Sequence, residues 1–208
     1  LGHCIPLNND YEAHLLEYDA YDSFSEIFIK KEYEGFIPKE NIRKVLDLGA
    51  NLGYFSLWLQ SRKPTNELFS LLIEPSPRCQ RSLKQLVNQK LLKGHFKYLQ
   101  KAIANPKLNS IDFFDRPYMA SSVFESTQKD AKSQVSVLTE KDITKDMPAP
   151  YDLIKCDIEG SEWDFINHFS EVIKSTKYIL LEWHSWHNGG GGFKQLEDSL
   201  KNLDYEIV

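Results

Sequence analysis

Arg43-Lys-Val-Leu-Asp-Leu-Gly-Ala-Asn-Leu-Gly-Tyr-Phe-Ser-Leu-Trp-Leu-Gln60 is the stretch from which the rest of the chain is read. Val45, Leu46 and Leu48 make a short apolar run with a β-branched member, closed by Gly49, the pattern of a buried strand. Gly49 and Gly53 bracket a tight turn. Phe55, Leu57, Trp58 and Leu59 then resume the apolar pattern on a helix entered near Leu52. Strand, glycine turn and helix together form the unit with which an open α/β sheet builds a nucleotide pocket. Glycines let the backbone approach a ligand closely, and N–H groups at the helix start face it.

Two details bear on which nucleotide. A dinucleotide fingerprint needs G-x-G-x-x-G, whereas this turn has only Gly49 and Gly53, with Asn51 at the middle position. It also places a carboxylate, Asp47, at the strand end beneath the turn. An acid there repels a pyrophosphate and suits a ligand with a cationic amino-acid end, such as S-adenosylmethionine. A strand-turn-helix with no ligand, and a nicotinamide or flavin pocket, are the alternatives.

Outward from this unit, strands and helices alternate. Leu68–Ile73 makes a second strand ending in Glu74-Pro75, and Pro77–Lys90 a helix with Leu83, Leu86 and Val87 buried. His95–Ala102 is a third strand. Ser110–Asp115 and Gln134–Leu138 alternate and are expected to pair as antiparallel additions, with a polar loop or lid, 117–132, between them. Tyr151–Asp157 is a fourth core strand, followed by a helix through Phe169, and Lys177–Trp183 is a fifth. A loop from His184 to Gly192 ends in four successive glycines. A helix over Phe193–Asn202 and the start of a strand over Tyr205–Val208 close the chain. This order predicts an α/β, Rossmann-like, doubly wound and mainly parallel sheet with helices on both faces. Ahead of it, residues 1–22 are polar and tyrosine-rich. Ser23 with Glu26 has the form of a capping box opening a helix that ends at Gly35. The expected organisation is a small helical extension, 1–40, on or near the pocket, then one domain over 41–208.

Composition narrows the class. The 208 residues suffice for a proper core, and 41% hydrophobic with 12% aromatic content fits a folded globular protein. Basic residues number 25 and acidic residues 30, so 25 − 30 gives a net charge of −5, which argues against nucleic acid as a partner. Cys4, Cys79 and Cys156 are odd in number and scattered. They form neither a disulfide framework nor a zinc motif, and suggest a reducing, cytoplasmic setting. No signal peptide or membrane-spanning run is apparent. The sequence starts at Leu1 rather than Met, so a missing N-terminal portion is expected.

In a sheet of this kind ligands sit at the carboxyl ends of the strands. Asp47, Glu74, Asp157 and the Glu182–His184 pair fall there. Glu74 is placed to accept both ribose hydroxyls, as it would for NAD as well. Asp157, Glu159 and Glu162 set three carboxylates around Gly160 at a strand-to-helix junction, where a helix N-terminus tolerates negative charge. Helix capping alone accounts for one or two of them.

Four blocks carry a family resemblance: Asp-Leu-Gly-Ala-Asn-Leu-Gly-Tyr-Phe-Ser (47–56), Ile-Glu-Pro-Ser-Pro (73–77), Lys-Cys-Asp-Ile-Glu-Gly-Ser-Glu (155–162) and Leu-Leu-Glu-Trp-His (180–184). They resemble the FkbM-type methyltransferases, in the family's order, over about residues 43–207. The resemblance implies a class I fold dependent on S-adenosyl-L-methionine, usually transferring methyl to a hydroxyl of a sugar or natural product. Carried over by position, Asp47, Gly49, Asn51 and Gly53, with Ala50, Tyr54 and Phe55 beside them, would line the methionine end. Glu74 next to Pro75 would hold the ribose, Ala102 and Ile103 the adenine, and Asp157 would stand beside the methyl group. No acid accompanies Ala102, a departure from many class I enzymes. Asp157, His184 and His187 are the candidates for removing the acceptor's proton. A divalent metal held by Asp157 with Glu182 or His184 is the minority alternative, and no metal is expected. A nicotinamide-dependent oxidoreductase and a non-catalytic binding module on this fold are the rival functions. Class I enzymes finish in an antiparallel hairpin, and Val208 leaves room for its first strand alone, so either truncation there or absence of the last strand is expected.

Overall fold

The computed structural model describes every residue except 1, 9, 18–19, 63–67, 93–94, 116–130 and 186–191. Its centre is a five-stranded sheet in the order β5-β4-β3-β8-β9, with every neighbouring pair parallel. The strands are β3 (Lys44–Leu48), β4 (Phe69–Ile73), β5 (Phe96–Leu99), β8 (Tyr151–Cys156) and β9 (Thr176–Leu181). β3 lies in the middle because its residues are apolar on both sides, as a doubly covered strand requires. Val45 packs on one face with Leu72 and Leu153, while Leu46 and Leu48 pack on the other with Leu71, Ile73 and Ile154. Each such side chain taken fully out of water contributes about 1.5–3 kcal/mol.

Helices cover both faces. The first core joins the sheet to α2 (Tyr54–Arg62), α3 (Gln80–Val87) and α1 (Ala20–Phe24), the last running on as a π-helical turn, Ser25–Ile29. The second core joins it to α4 (Glu140–Asp146), α5 (Glu162–His168), α6 (Ser170–Lys174) and α7 (Phe193–Lys201). A crossover from β4 to β5 builds one half, and β8 then enters on the other side of β3. The winding direction therefore reverses between β3 and β8, where a crevice opens at the strands' carboxyl ends.

Among the described residues two short antiparallel pairs accompany the sheet: β1 (His3–Pro6) with β2 (Glu12–Leu15), and β6 (Ser110–Asp115) with β7 (Ala131–Ser136). The second pair was expected, but its later strand begins at Ala131, inside the expected loop, and ends at Ser136 rather than Leu138. The first pair was not expected, since its strands are short and largely exposed and carry no clear alternation. Ser23 does not cap a helix: it is buried inside α1, which begins at Ala20. The third core strand is shorter than His95–Ala102, because Ala102 leaves β5 to bridge Val137. Tyr205–Val208 forms no strand. Tyr205 instead donates its hydroxyl to the carbonyls of Ile173 and Thr176 at 2.8 and 2.6 Å, tying the segment to the end of α6 and start of β9. Most of the expected lid, 117–132, and most of the glycine loop lie outside the described residues. Among the described residues no helix is long and apolar enough to cross a membrane.

Candidate active site

A cleft of about 330 Å³ opens at the carboxyl ends of β3, β4 and β8. This is within the range that encloses a nucleotide-sized ligand. Its floor is built by two turns in left-handed backbone. Gly49 (φ 71°) and Asn51 (φ 48°) follow β3, and Glu159 (φ 50°) and Gly160 (φ 99°) follow β8. Asn51 and Glu159 bear this conformation with a side chain attached, a strain that tends to accompany functional sites.

Gly49 is needed for a reason internal to the protein. A Cβ there would stand 1.7 Å from the carbonyl oxygen of Asp157, so the β3 turn is packed directly against the end of β8. Gly53 is similar, since its Cβ would meet Leu86 and Leu72 side chains at 2.3 and 2.8 Å. The second glycine thus lets α2 and α3 close on the sheet and is not part of the cleft wall.

Glu74 ends β4 with its carboxylate in the cleft and is almost wholly buried. Its Oε2 accepts the N–H of Asn51 and its Oε1 that of Ser76, both at 2.9 Å. Burial pushes its pKa up to about 7, against the pull of those two donors. The two bonds fix the carboxylate's plane and leave lone pairs for a ligand.

Asp47 is fully buried beneath the turn. It accepts the Ser56 hydroxyl at 2.6 Å on Oδ2 and lies beside Lys155 in the β3–β8 ladder. Burial raises its pKa, with Lys155 and Ser56 opposing. It supports the turn from below and does not line the cleft. Tyr54 also faces away, donating its hydroxyl to the carbonyl of His14 at 2.7 Å. Gly49, Ala50, Asn51, Phe55, Pro75, Ala102 and Ile103 do line the cleft, together with Glu74 and Asp157.

The β8 end carries the charge. Lys155 is buried and donates to the carbonyl of Gly49 at 2.7 Å, with Asp157 Oδ2 at 3.2 Å. Burial opposes its charge, but Asp157, Tyr33 and Asp47 hold its pKa above the usual lysine value. His184, also buried, shares its Nδ1 hydrogen bond with Glu162 Oε1 at 2.9 Å. Its Nε2 lies 3.6 Å from Glu159 and Glu182 and 3.8 Å from Asp157. Burial works against the imidazolium, yet Glu162 and the surrounding carboxylates raise its pKa to about 9. A ring so held is not a ready proton acceptor near neutral pH. Glu159 lines the cleft, and burial lifts its pKa to about 7, with His184 opposing. His187 lies outside the described residues.

The extension over 1–40 was expected on or near the pocket, but the sequence motifs singled out none of its residues for the cleft. Glu26, Ile27, Glu32 and Tyr33 line the cleft, and the Tyr33 ring meets Phe55 edge-on at 5.0 Å between centroids. The aromatic content of residues 11–36 is the one signal that these residues pack on the core.

A family profile described as Methyltransferase FkbM domain matches residues 47–207. Among solved structures, a methyltransferase FkbM from Methylobacillus flagellatus KT aligns with a TM-score of 0.57 at 17% identity, covering 91% of this chain and 45% of that one. This chain thus spans less than half the length of that protein. The METTL16 MTase domain aligns at a TM-score of 0.42 with 16% identity, over 89% of this chain and 56% of that one. At such identities the first likeness shows a shared fold. No curated protein matches the sequence.

Proposed function

The chain belongs to the FkbM methyltransferase family, and from that premise we propose that it uses S-adenosylmethionine to methylate a hydroxyl of a small acceptor. The observation that carries this reading is Glu74. A buried carboxylate whose two oxygens are pinned by Asn51 and Ser76 faces a nucleotide-sized cleft at the point where the sheet's winding reverses. It is suited to accept two ribose hydroxyls. Phe55, Ala102 and Ile103 add apolar surface to the cleft wall for the flat and aliphatic parts of the cofactor. The amino-acid end falls to the Gly49–Asn51 backbone, because Asp47 is engaged below the turn.

When bound, the cofactor supplies a methyl group already activated by its sulfonium, which leaves sulfur as the acceptor oxygen takes it. The protein's task is alignment, exclusion of water and removal of the hydroxyl proton. Asp157, with Oδ2 tied to Lys155, aligns the acceptor at the floor of the cleft. Glu159 takes the proton, from a backbone conformation that turns it into the same space. Glu182, Glu32 and Glu26 make this end of the cleft acidic, so the acceptor is neutral or cationic rather than anionic.

Calorimetry with S-adenosylhomocysteine and, separately, with NAD tests the cofactor. Micromolar binding of the first, lost on Glu74→Ala, is expected, with no binding of NAD. Tight NAD binding would replace the reading by an oxidoreductase. Transfer of labelled methyl to a panel of sugars and hydroxylated metabolites tests the acceptor. Glu159→Gln is expected to lower turnover by about 10²-fold while cofactor affinity stays within a few-fold.

A further inference from the structure

One group of side chains at the acidic end of the cleft has a geometry that proton transfer alone does not require. The carboxylates of Asp157 and Glu182 and a ring nitrogen of His184 offer three donor atoms that all lie within 4.8 Å of one another. From His184 Nε2 the distances are 3.8 Å to Asp157 Oδ1 and 3.6 Å to Glu182 Oε1. Donors about 2.1 Å from a shared ion stand about 3.0–3.4 Å apart. The two pairs with His184 would close on an ion with shifts of roughly a few tenths of an ångström, and the Asp157–Glu182 pair, within 4.8 Å, with at most about 1.8 Å.

Three further features favour a cation there. His184 Nδ1 is bonded at 2.9 Å to Glu162, a fully buried carboxylate, which turns Nε2 toward the other acids. That is how a metal-ligating histidine is usually oriented. Ser161 lines the same cleft, is buried, and its hydroxyl has no hydrogen-bond partner. A water carried by an ion would satisfy it. Charge is the third. Asp157, Glu159, Glu162 and Glu182 converge on one imidazole, and Lys155 pairs with Asp157. Four carboxylates gathered this closely attract a cation.

We propose that Asp157, Glu182 and His184 bind one divalent cation at the acceptor end of the cleft, with Glu162 as the residue that positions His184. Carboxylate oxygen and imidazole without thiolate favour an ion of the Mn²⁺ or Mg²⁺ class. This departs from the expectation of no metal. It deepens the methyltransferase reading, on which its role rests, since an acceptor hydroxyl binding the ion would lose its proton more readily. A second donor set, Cys4, Glu12 and His14 on the β1–β2 hairpin, lies away from the cleft and includes a thiol, which suits softer ions.

Titration of the protein with Mn²⁺ alone, followed by loss of the free-ion EPR signal, tests the site without any need for turnover. One equivalent is expected to bind, at least tenfold more weakly in Glu182→Gln and His184→Gln and unchanged in Cys4→Ser. Glu182 is exposed, so its variant should fold even where the buried His184 variant does not. Absence of Mn²⁺ binding, or unchanged binding in folded Glu182→Gln, overturns the proposal. Binding of S-adenosylhomocysteine in EDTA is measured separately. Binding there without Mn²⁺ binding removes the metal site and leaves the methyl-donor reading intact; Mn²⁺ binding without it does the reverse.

Discussion

Glu74 is where the chemistry of single residues is most readable. In the folded chain its pKa of about 7 stands above the ordinary value of 4.5, because burial costs more than two N–H donors return. The folded state therefore holds a proton that the unfolded chain gives up between those values. Glu74's contribution to stability is full below pH 4.5 and is lost as pH rises through about 7. Ribose hydroxyls donating to the carboxylate favour its ionised form, so binding in that window expels a proton. Affinity for S-adenosylhomocysteine should then rise with pH, by up to about tenfold per unit, and level off above pH 7. Calorimetry across this range in two buffers of different ionisation enthalpy measures both the slope and the proton. A flat profile would take Glu74 out of the ribose role. Gly49 makes the complementary case, because besides lining the cleft it lies so close to the carbonyl of Asp157 that a side chain has no room. Gly49→Val should destabilise the fold by about 3 kcal/mol or more, seen as a lowered urea midpoint, rather than leave a folded protein that cannot bind.

At the scale of elements, what was legible followed from periodicity. β3, β4 and β8 bury apolar residues on both faces, and a run such as Leu71–Ile73 leaves little choice but a covered strand. The N-terminal elements escaped because their signal is local and ambiguous. Ser23 and Glu26 fit a cap by spacing, but Ala20 and Phe24 are buried on either side of Ser23, and core packing drew the helix start upstream. A real capping box sits at α4, where Thr139 accepts the N–H of Asp142 and Asp142 accepts the N–H of Thr139. Lys101, next to the cleft residue Ala102, donates to the same Asp142 at 3.0 Å. Thr139→Ala should cost about 1 kcal/mol. In a chain of this size that lowers the melting temperature by about 2–4 °C, measured by circular dichroism. A larger fall would mean that the cap also holds the Lys101–Ala102 wall.

For the whole molecule, the cleft joins parts far apart in the chain, and that explains the limits of reading it from motifs. Residues 49–51, 74 and 157–159 are named by strand ends, which a sequence shows. Glu26, Glu32 and Tyr33 reach the cleft only because the N-terminal segment shares the first core, through Phe24 and Tyr54 at 6.0 Å between ring centroids and through Tyr33 on Phe55. No local pattern encodes such a contact. If that segment is a working wall of the ligand site, ligand binding must stabilise it together with the sheet turns. A ligand at about 100 times its Kd adds about 2.7 kcal/mol to every opening that abolishes binding. Hydrogen exchange with and without saturating S-adenosylhomocysteine should therefore slow for amides of 20–35 as well as 49–55. Tyr33→Ala should uncouple the two, retaining protection at 49–55 while losing it at 20–35. Protection confined to 49–55 in the parent protein would show that the N-terminal segment packs on the core without closing the site.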